Sequence, residues 1–331
     1  MSWKVLITSR VFDTIGQPAL ELLRTSGCEV IIPKKFGPLK ADLLLPNLTG
    51  IDATLCSPDQ YNPQVLRSTE AANLKIISRW GVGYDSIDFA EATRQGIVVA
   101  YTPGMLNETV ADWTWALLLG ISRRVAQGHL AMARNEWAQY WGHDVHGKTL
   151  GIIGCGRIGQ AVAKRAAGFD MRILAYDCAP CAEMPNIKFV SLDELLAESD
   201  FVSIHAALTP ESRGMIGAAQ LRRMKSGAYL INTARGPLID EPALAQALHE
   251  GVIAGAALDV FSTEPLPADS PLRNAPNLLL EAHQASFTRE TGERVCLAAA
   301  QAIVDLMRGQ KPRWVVDQNV YTSPTLRAQL K

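Results

Sequence analysis

The chain has 331 residues, of which 48% are hydrophobic and 20% are charged, and its formal net charge at pH 7 is -1. This composition is typical of a globular protein, and the length favours two domains. A nearly neutral chain without a run of Lys or Arg argues against nucleic acid as the main partner. The N-terminus lacks the features of a signal peptide, and apolar stretches fall short of the ~20 residues that a membrane helix needs. We therefore expect a cytoplasmic protein without membrane contact.

The first hundred residues alternate short apolar runs with amphipathic stretches. The predicted strands are residues 5–8, 29–32, 53–56, 75–78 and 98–100, and the predicted helices are residues 18–26 and 63–68. Because strands and helices alternate, we predict a parallel sheet covered by helices on both faces.

A second series of strands follows a helical region. One helix starts near Asn107 and is apolar almost all round to Ile121, and another occupies about residues 125–137. The next predicted strands are residues 149–153, 172–176, 201–204, 228–232, 255–258 and 277–280. A second parallel sheet indicates a second domain. Residues 290–308 are again helical, and we expect this last helix to pack on the first domain.

A glycine motif joins an apolar strand to a helix at Gly154-Cys155-Gly156-Arg157-Ile158-Gly159. Gly154 permits a tight turn, Gly156 lets the backbone approach a pyrophosphate, and Gly159 lets the helix pack on the strand. The start of the helix, with Arg157 and Ile158, offers N–H groups and a partial positive charge to phosphates. The motif therefore predicts a dinucleotide site.

The residue after the next strand predicts which dinucleotide binds. Asp177 lies 18 residues after Gly159, close to the spacing of a carboxylate that binds the adenosine ribose. A carboxylate repels a 2′-phosphate, so we expect NAD rather than NADP. Cys178 and Cys181 form a lone CxxC pair without the further ligands of a zinc site, so we expect no metal. We interpret them as incidental loop cysteines, with a redox pair as the alternative.

Three later segments place a polar side chain just after an apolar strand: Arg235, Glu264 and His283. The carboxyl ends of parallel strands converge on the ligand crevice, so these side chains are expected to meet. Hydride transfer to C2 of a 2-oxo acid leaves charge on the carbonyl oxygen, and a histidine can protonate it. A neighbouring glutamate would stabilise the imidazolium, and an arginine would pair with the substrate carboxylate. The residues predict an NAD-dependent 2-oxo acid reductase.

From about residue 76 to residue 308 the chain resembles the D-isomer-specific 2-hydroxyacid dehydrogenase family. The matching stretches are residues 81–88, 109–112, 150–159, 205–213, 232–236 and 259–265 together with His283. The resemblance implies Arg235, Glu264 and His283 as the catalytic trio. It also implies that the amides of Val82 and Gly83 hold the substrate carboxylate.

The resemblance further implies a domain arrangement and an assembly. Two Rossmann-like or flavodoxin-like α/β domains are expected, each with a doubly wound parallel sheet. The nucleotide domain, residues 103–286, would be inserted into a substrate domain made of residues 1–102 and 287–331. A homodimer would form largely through the nucleotide domain.

Other positions follow less directly from the resemblance. We expect further cofactor contacts from Thr109, His205, Thr233, Ala234 and Asp259, with a structural role as the alternative for His205 and Asp259. The chain departs from the family in two places, where Ala207 and Ala282 replace prolines.

Residues outside the trio bear on the choice of substrate. Arg79 either meets a second anionic group of the substrate or forms an ordinary ion pair. The aromatic residues Trp137, Tyr140 and Trp141 either pack in the core or an interface, or reach the pocket of a partner subunit.

Several activities are compatible with this pattern. We favour a small unphosphorylated 2-oxo acid of the glyoxylate or hydroxypyruvate type, because residues 56–58 read Cys-Ser-Pro where phosphoglycerate enzymes often carry an arginine. A 3-phosphoglycerate dehydrogenase-like enzyme, or another reductase of phosphorylated or phosphono 2-oxo acids, is the alternative. The Glu264–His283 pair argues against formate dehydrogenase. A NADH-sensing corepressor-like binding protein is the second alternative, although the chain has almost no tail of the kind such proteins carry.

Overall fold

The computed structural model describes residues 2–179 and 186–331. The chain divides into two compact units, Met1–Leu106 with Phe287–Lys331, and Asn107–Ser286. The predicted boundary lies slightly earlier, at residues 102–103. Each unit contains a parallel sheet with helices on both faces, as the alternating pattern predicted.

The first unit is built on five parallel strands in the order β2-β1-β3-β4-β5, the flavodoxin-like arrangement. The strands are β1 (Lys4–Ile7), β2 (Glu29–Ile31), β3 (Ala53–Cys56), β4 (Ile76–Arg79) and β5 (Val98–Ala100). Side chains of β1 alternate, so that Val5 and Ile7 enter one apolar cluster and Leu6 enters another. Because both faces are buried, the strands read as continuous apolar runs.

Short helices connect these strands. They are α1 (Val11–Thr14), α2 (Gln17–Thr25), α3 (Ala41–Leu44), α4 (Pro63–Leu66) and α5 (Phe89–Arg94). Asn62 caps α4 and Asp88 caps α5, because each side chain accepts a hydrogen bond from the third residue beyond it. Helices α1, α3 and α5 were not predicted, since each is six residues or shorter and shows little periodicity.

The second unit has seven parallel strands in the order β12-β11-β10-β9-β6-β7-β8. The strands are β6 (Thr149–Ile153), β7 (Arg172–Tyr176), β8 (Ile187–Phe189), β9 (Phe201–Ile204), β10 (Tyr229–Asn232), β11 (Gly255–Leu258) and β12 (Leu278–Leu280). The order reverses between β6 and β9, which is where Rossmann-type sheets bind a dinucleotide. Both predicted doubly wound sheets are confirmed.

The helices of this unit are α6 (Asn107–Ser122), α7 (Val125–Ala133), α8 (Arg157–Ala166), α9 (Leu192–Glu198), α10 (Ala218–Leu221) and α11 (Glu241–His249). The predicted second helix was too long, because α7 ends at Ala133 and does not reach Trp137. Asn135 adopts a left-handed conformation with φ 60°, which terminates the helix. Helix α6 is buried against α8, β10 and β11, in agreement with its apolar sequence.

After Ser286 the chain returns to the first unit, where α12 (Arg289–Met307) packs against α2 and β4. Its residues Val295, Ala299 and Ile303 repeat every four positions and are fully buried or nearly so. The Thr288 hydroxyl caps its first turn. Within residues 2–179 and 186–331, no helix is both long and apolar enough to cross a membrane.

Candidate active site

The glycine motif forms the turn between β6 and α8. Gly154 has a φ of 89°, and a Cβ there would lie 2.5 Å from the amide nitrogen of Ala206. At Gly159 a Cβ would lie 2.2 Å from the carbonyl oxygen of Gly154. Both positions therefore require glycine for the fold itself.

Gly156 differs, because a Cβ added there would meet nothing within 4 Å. The residue is the N-cap of α8 and has no side chain to cap the helix. In the part of the chain that the structure describes, the amides of Gly156 and Arg157 donate no hydrogen bond. This open cradle at a helix N-terminus fits the pyrophosphate of a dinucleotide.

Asp177 lies at the end of β7, beside the same turn. Its Oδ2 accepts a hydrogen bond of 2.7 Å from the Cys155 amide, and its Oδ1 accepts one of 2.9 Å from the Ala179 amide. The carboxylate thus fixes the glycine turn, and its remaining lone pairs stay compatible with a ribose hydroxyl. Cys178 is an exposed free thiol, and Cys181 lies outside the described residues.

The turn after β10 carries Arg235. Asn232, fully buried, donates from Nδ2 to the Arg235 carbonyl at 2.9 Å and accepts from the Ala234 amide at 3.0 Å. Gly236 lies so close to Phe261 that no Cβ would fit. The Arg235 guanidinium donates from Nη1 to the Ala234 carbonyl at 2.7 Å. Asn232 therefore sets the direction in which the chain leaves the strand.

Glu264 and His283 form a direct pair. Nδ1 of His283 lies 2.7 Å from Oε2 of Glu264, and the other carboxylate oxygen accepts the Phe261 amide at 3.0 Å. Burial raises the pKa of Glu264, but the hydrogen bond and charge of His283, the Phe261 amide and the charge of Arg235 outweigh it, so the net pKa lies below its usual value. Glu264 is thus an ionised carboxylate, and its pKa responds to both Arg235 and His283.

The backbone at His283 is unusual. Its φ of 52° lies in the left-handed region, which costs an ordinary residue about 1 kcal/mol or more. The His283 amide donates to the Asp259 carbonyl at 2.8 Å, and the Asp259 carboxylate accepts the amides of Gln284 and Ala285, each at 2.9 Å. Asp259 therefore holds the turn that presents the imidazole.

Asp259 is fully buried, and its carboxylate accepts a further hydrogen bond from a side chain. Nε1 of Trp113, on α6, donates to Oδ1 at 3.2 Å. Burial raises the pKa of Asp259, while the backbone amides, the charge of His283 and the Trp113 indole oppose that rise.

His205 follows β9, with Nε2 2.8 Å from the Ser203 hydroxyl. Burial lowers its pKa to about 3, so the ring is neutral near pH 7 and suits a contact better than proton transfer. Thr233 is nearly buried, and its hydroxyl lies 3.0 Å from that of Thr114 on α6. Thr109 lies in the first turn of α6 and is also nearly buried.

The loop after β4, residues 81–83, belongs to the first unit. Gly81 has a φ of 114°, and both its amide and its carbonyl pair with Thr102. Among described residues, none accepts a hydrogen bond from the amides of Val82 or Gly83. Two such amides side by side are suited to a carboxylate.

Arg79 is largely buried behind this loop. Its guanidinium donates to the carbonyls of Gly83 at 2.9 Å and Cys56 at 3.5 Å, and also to the carbonyl of Trp80. These bonds tie the end of β3 to the loop after β4.

Three aromatic residues between α7 and β6 are not part of the chain's own core. Trp137 is 85% exposed, Trp141 is 98% exposed and Tyr140 is 45% exposed. The interpretation that these side chains pack in the core of this chain is therefore wrong. Their contact with another chain stays a prediction.

Sequence reasoning missed Asn232, Thr102 and Trp113. Asn232 had a signal, since a buried asparagine at the end of an apolar strand needs local partners. Thr102 and Trp113 reach their partners across the fold, and nothing in their local sequence indicates these contacts.

Known proteins resemble this chain over most of its length. The family described as D-isomer specific 2-hydroxyacid dehydrogenase, NAD binding domain, matches residues 115–285. A glyoxylate reductase from Thermofilum pendens is 42% identical over 318 residues, covering 92% of this chain and 93% of that protein. The structure of the TT0316 protein from Thermus thermophilus is 40% identical, covers 95% of this chain and 100% of that chain, and has a TM-score of 0.86. A glyoxylate reductase structure from Paecilomyes thermophila is 30% identical with a TM-score of 0.83, covering 96% of this chain and 99% of that chain. The chain therefore belongs to the D-isomer specific 2-hydroxyacid dehydrogenase family and is an NAD(P)-binding oxidoreductase that acts on CH–OH groups.

Proposed function

We propose that the protein reduces a small 2-oxo acid, of the glyoxylate or hydroxypyruvate type, to the 2-hydroxy acid with NADH. The observation that carries this proposal is the 2.7 Å contact between His283 Nδ1 and Glu264 Oε2, just beyond the strands of a Rossmann sheet. An acid–base histidine oriented by a carboxylate suits reactions in which a carbonyl oxygen gains or loses a proton.

The residues divide the chemistry among them. NADH, when bound, supplies the hydride that adds to C2 of the substrate. As the C=O π electrons move to oxygen, His283 donates a proton from Nε2, because Nδ1 is engaged by Glu264. Glu264 keeps the imidazolium oriented and stabilised, and Arg235 pairs with the substrate carboxylate. In the oxidation direction His283 takes the proton back.

The cofactor preference rests on Asp177. Its carboxylate stands at the end of β7, next to the open cradle at Gly156. A negative charge there favours a ribose 2′-hydroxyl over a 2′-phosphate. The predicted contacts of Thr109, His205, Thr233, Ala234, Arg157 and Ile158 belong to the same proposal.

The substrate preference rests on residues of the first unit. The amides of Val82 and Gly83, which have no acceptor among the described residues, suit a carboxylate. The Arg79 guanidinium donates to backbone carbonyls, and residues 56–58 include no cationic side chain. Because a phosphate would need cationic partners, both observations support a substrate without a phosphate. A phosphorylated 2-oxo acid is the alternative that the assay below distinguishes.

The assembly forms part of the proposal. We infer a homodimer, supported by the exposed apolar side chains around α7: Val125, Leu130, Met132, Trp137 and Trp141. Apolar side chains clustered at a surface are typical of an interface between chains. The cytoplasmic location stays a prediction from the sequence.

The test is NADH oxidation by the purified protein with glyoxylate, hydroxypyruvate, pyruvate and phosphohydroxypyruvate, repeated with NADPH. The proposal expects the highest kcat/KM with glyoxylate or hydroxypyruvate and with NADH. Preference for phosphohydroxypyruvate would favour the phosphorylated alternative. No turnover with any of the four acids would contradict the proposal and favour a binding role.

A further inference from the structure

The turn that presents His283 depends on one buried carboxylate. Asp259 receives the Gln284 amide on Oδ1 and the Ala285 amide on Oδ2, while its carbonyl receives the His283 amide. These bonds hold His283 in its left-handed conformation, which an isolated chain rarely adopts. The direction of the imidazole therefore depends on where Asp259 is held.

Trp113 is the side chain that reaches this carboxylate from another element. Its indole Nε1 donates to Asp259 Oδ1 at 3.2 Å across 146 positions of sequence. Because Asp259 is fully buried, each N–H donor matters more than it would in water. Without the indole, the Gln284 amide would remain as the donor to Oδ1.

Helix α6 is well placed to act as a fixed support. It packs against α8, β10 and β11, and the next residue, Thr114, contacts the Thr233 hydroxyl at 3.0 Å. Consecutive residues of one helix thus contact the ends of two neighbouring strands. One of those strands leads to Arg235, and the other ends at the aspartate that holds the His283 turn.

We propose that Trp113 is a positioning residue for the acid–base histidine, acting through its hydrogen bond to Asp259. Trp113 contacts neither substrate nor reacting atoms in this role. The inference rests on the proposed 2-oxo acid reduction, because it concerns how well His283 is oriented for that reaction.

The expected effect falls on kcat rather than on binding. Loss of a hydrogen bond to a buried carboxyl oxygen leaves the 283–285 turn less firmly held, and proton transfer is sensitive to such misplacement. We expect Trp113→Phe to lower kcat about tenfold, while KM for the 2-oxo acid and the Kd for NADH change by less than about twofold.

A matched control lies on the same helix. Trp115 also donates from Nε1, to the Val162 carbonyl at 3.1 Å, and is almost fully buried. Trp115→Phe therefore removes a comparable indole hydrogen bond that does not lead to the His283 turn. We expect this variant to keep the parental kcat, whatever it loses in Tm.

The experiment measures kcat per NADH-binding site, KM, NADH affinity and Tm for the parent, Trp113→Phe and Trp115→Phe. As a second variant, 3-benzothienylalanine in place of Trp113 keeps the ring shape but removes the N–H, so a folding defect of the phenylalanine variant does not hide the result.

The outcomes separate the inference from the function on which it rests. A kcat loss in both Trp113 variants, with Trp115→Phe at the parental value, supports the positioning role. Parental kcat in the benzothienyl variant, or an equal kcat loss in Trp115→Phe, overturns it. If the parent and Trp115→Phe turn over no 2-oxo acid, the proposed function itself is wrong.

Discussion

Replacing Glu264 by Gln should slow 2-oxo acid reduction about thirtyfold at neutral pH. The substitution keeps the side-chain shape and an oxygen that can accept the Phe261 amide, now 3.0 Å from Oε1. It removes the negative charge beside the His283 imidazole, whose Nδ1 lies 2.7 Å from Oε2. In the proposed reduction, the His283 imidazole then lacks the carboxylate that orients it and balances positive charge on it.

The magnitude follows from the geometry of the pair. Two charges about 4 Å apart interact with roughly 4 kcal/mol at an effective dielectric constant of about 20. The His283 and Glu264 side chains are 40% and 30% exposed, so solvent screens part of this energy. A remaining contribution of about 2 kcal/mol corresponds to roughly a thirtyfold change in rate.

The assay is kcat for NADH oxidation at pH 7 with the best 2-oxo acid, measured for the parent and for Glu264→Gln. We expect the loss of about thirtyfold to fall on kcat, with NADH affinity nearly unchanged, because the charge is removed while the side-chain shape is kept. Glu250→Gln, an exposed carboxylate of the same unit, is the control. A parental kcat in Glu264→Gln would refute the reasoning.

Three further predictions concern the cofactor turn, the carboxylate loop and stability. Gly156→Ala should keep the parental Tm, because its Cβ meets nothing within 4 Å, yet weaken NADH binding about tenfold or more by filling the pyrophosphate cradle. Gly168→Ala, equally open, should leave NADH affinity unchanged in the same titration. Arg79→Met should raise KM for the oxo acid more than it lowers kcat, because it removes a hydrogen bond to the loop whose amides we propose to hold the substrate carboxylate. A large fall in kcat at unchanged KM would exclude this role. Glu91→Gln should lower the free energy of unfolding by about 1–2 kcal/mol at pH 7. Hydrogen bonds from Arg67, Gln95 and Arg94 hold the Glu91 pKa well below its usual value, so the contribution exists above pH ~4.3 and fades as pH falls. Urea unfolding of the parent and of Glu91→Gln at pH 7 and at acidic pH checks this. A difference in the free energy of unfolding that is as large in acid as at pH 7 would contradict it.

The sheets were predictable because both faces of each are buried, so their strands appear as apolar runs. All five strands of the first unit were placed within one residue. Strand β8 was missed because its three residues are half-buried or exposed and do not form an apolar run. The end of α7 was misplaced because it depends on the left-handed conformation of one residue, Asn135, rather than on periodicity.

The candidate site was predictable only in part. Strand ends and the glycine motif indicated where Arg235, Glu264, His283 and Asp177 would lie, because residue type and position carry that information locally. The contact of Trp113 with Asp259 joins residues far apart in sequence, and the engagement of Arg79 by three carbonyls depends on how two loops fold. Such long-range hydrogen bonds leave no periodic signal in the sequence.

The central claim is that His283 exchanges the proton in an NADH-dependent reduction. The most direct measurement is the single-turnover rate of hydride transfer for His283→Asn, together with its NADH affinity. Asparagine tolerates the left-handed backbone at this position, so the turn should persist. We predict a loss of about a thousandfold in the rate at nearly parental NADH affinity. A rate equal to that of the parent would contradict the account.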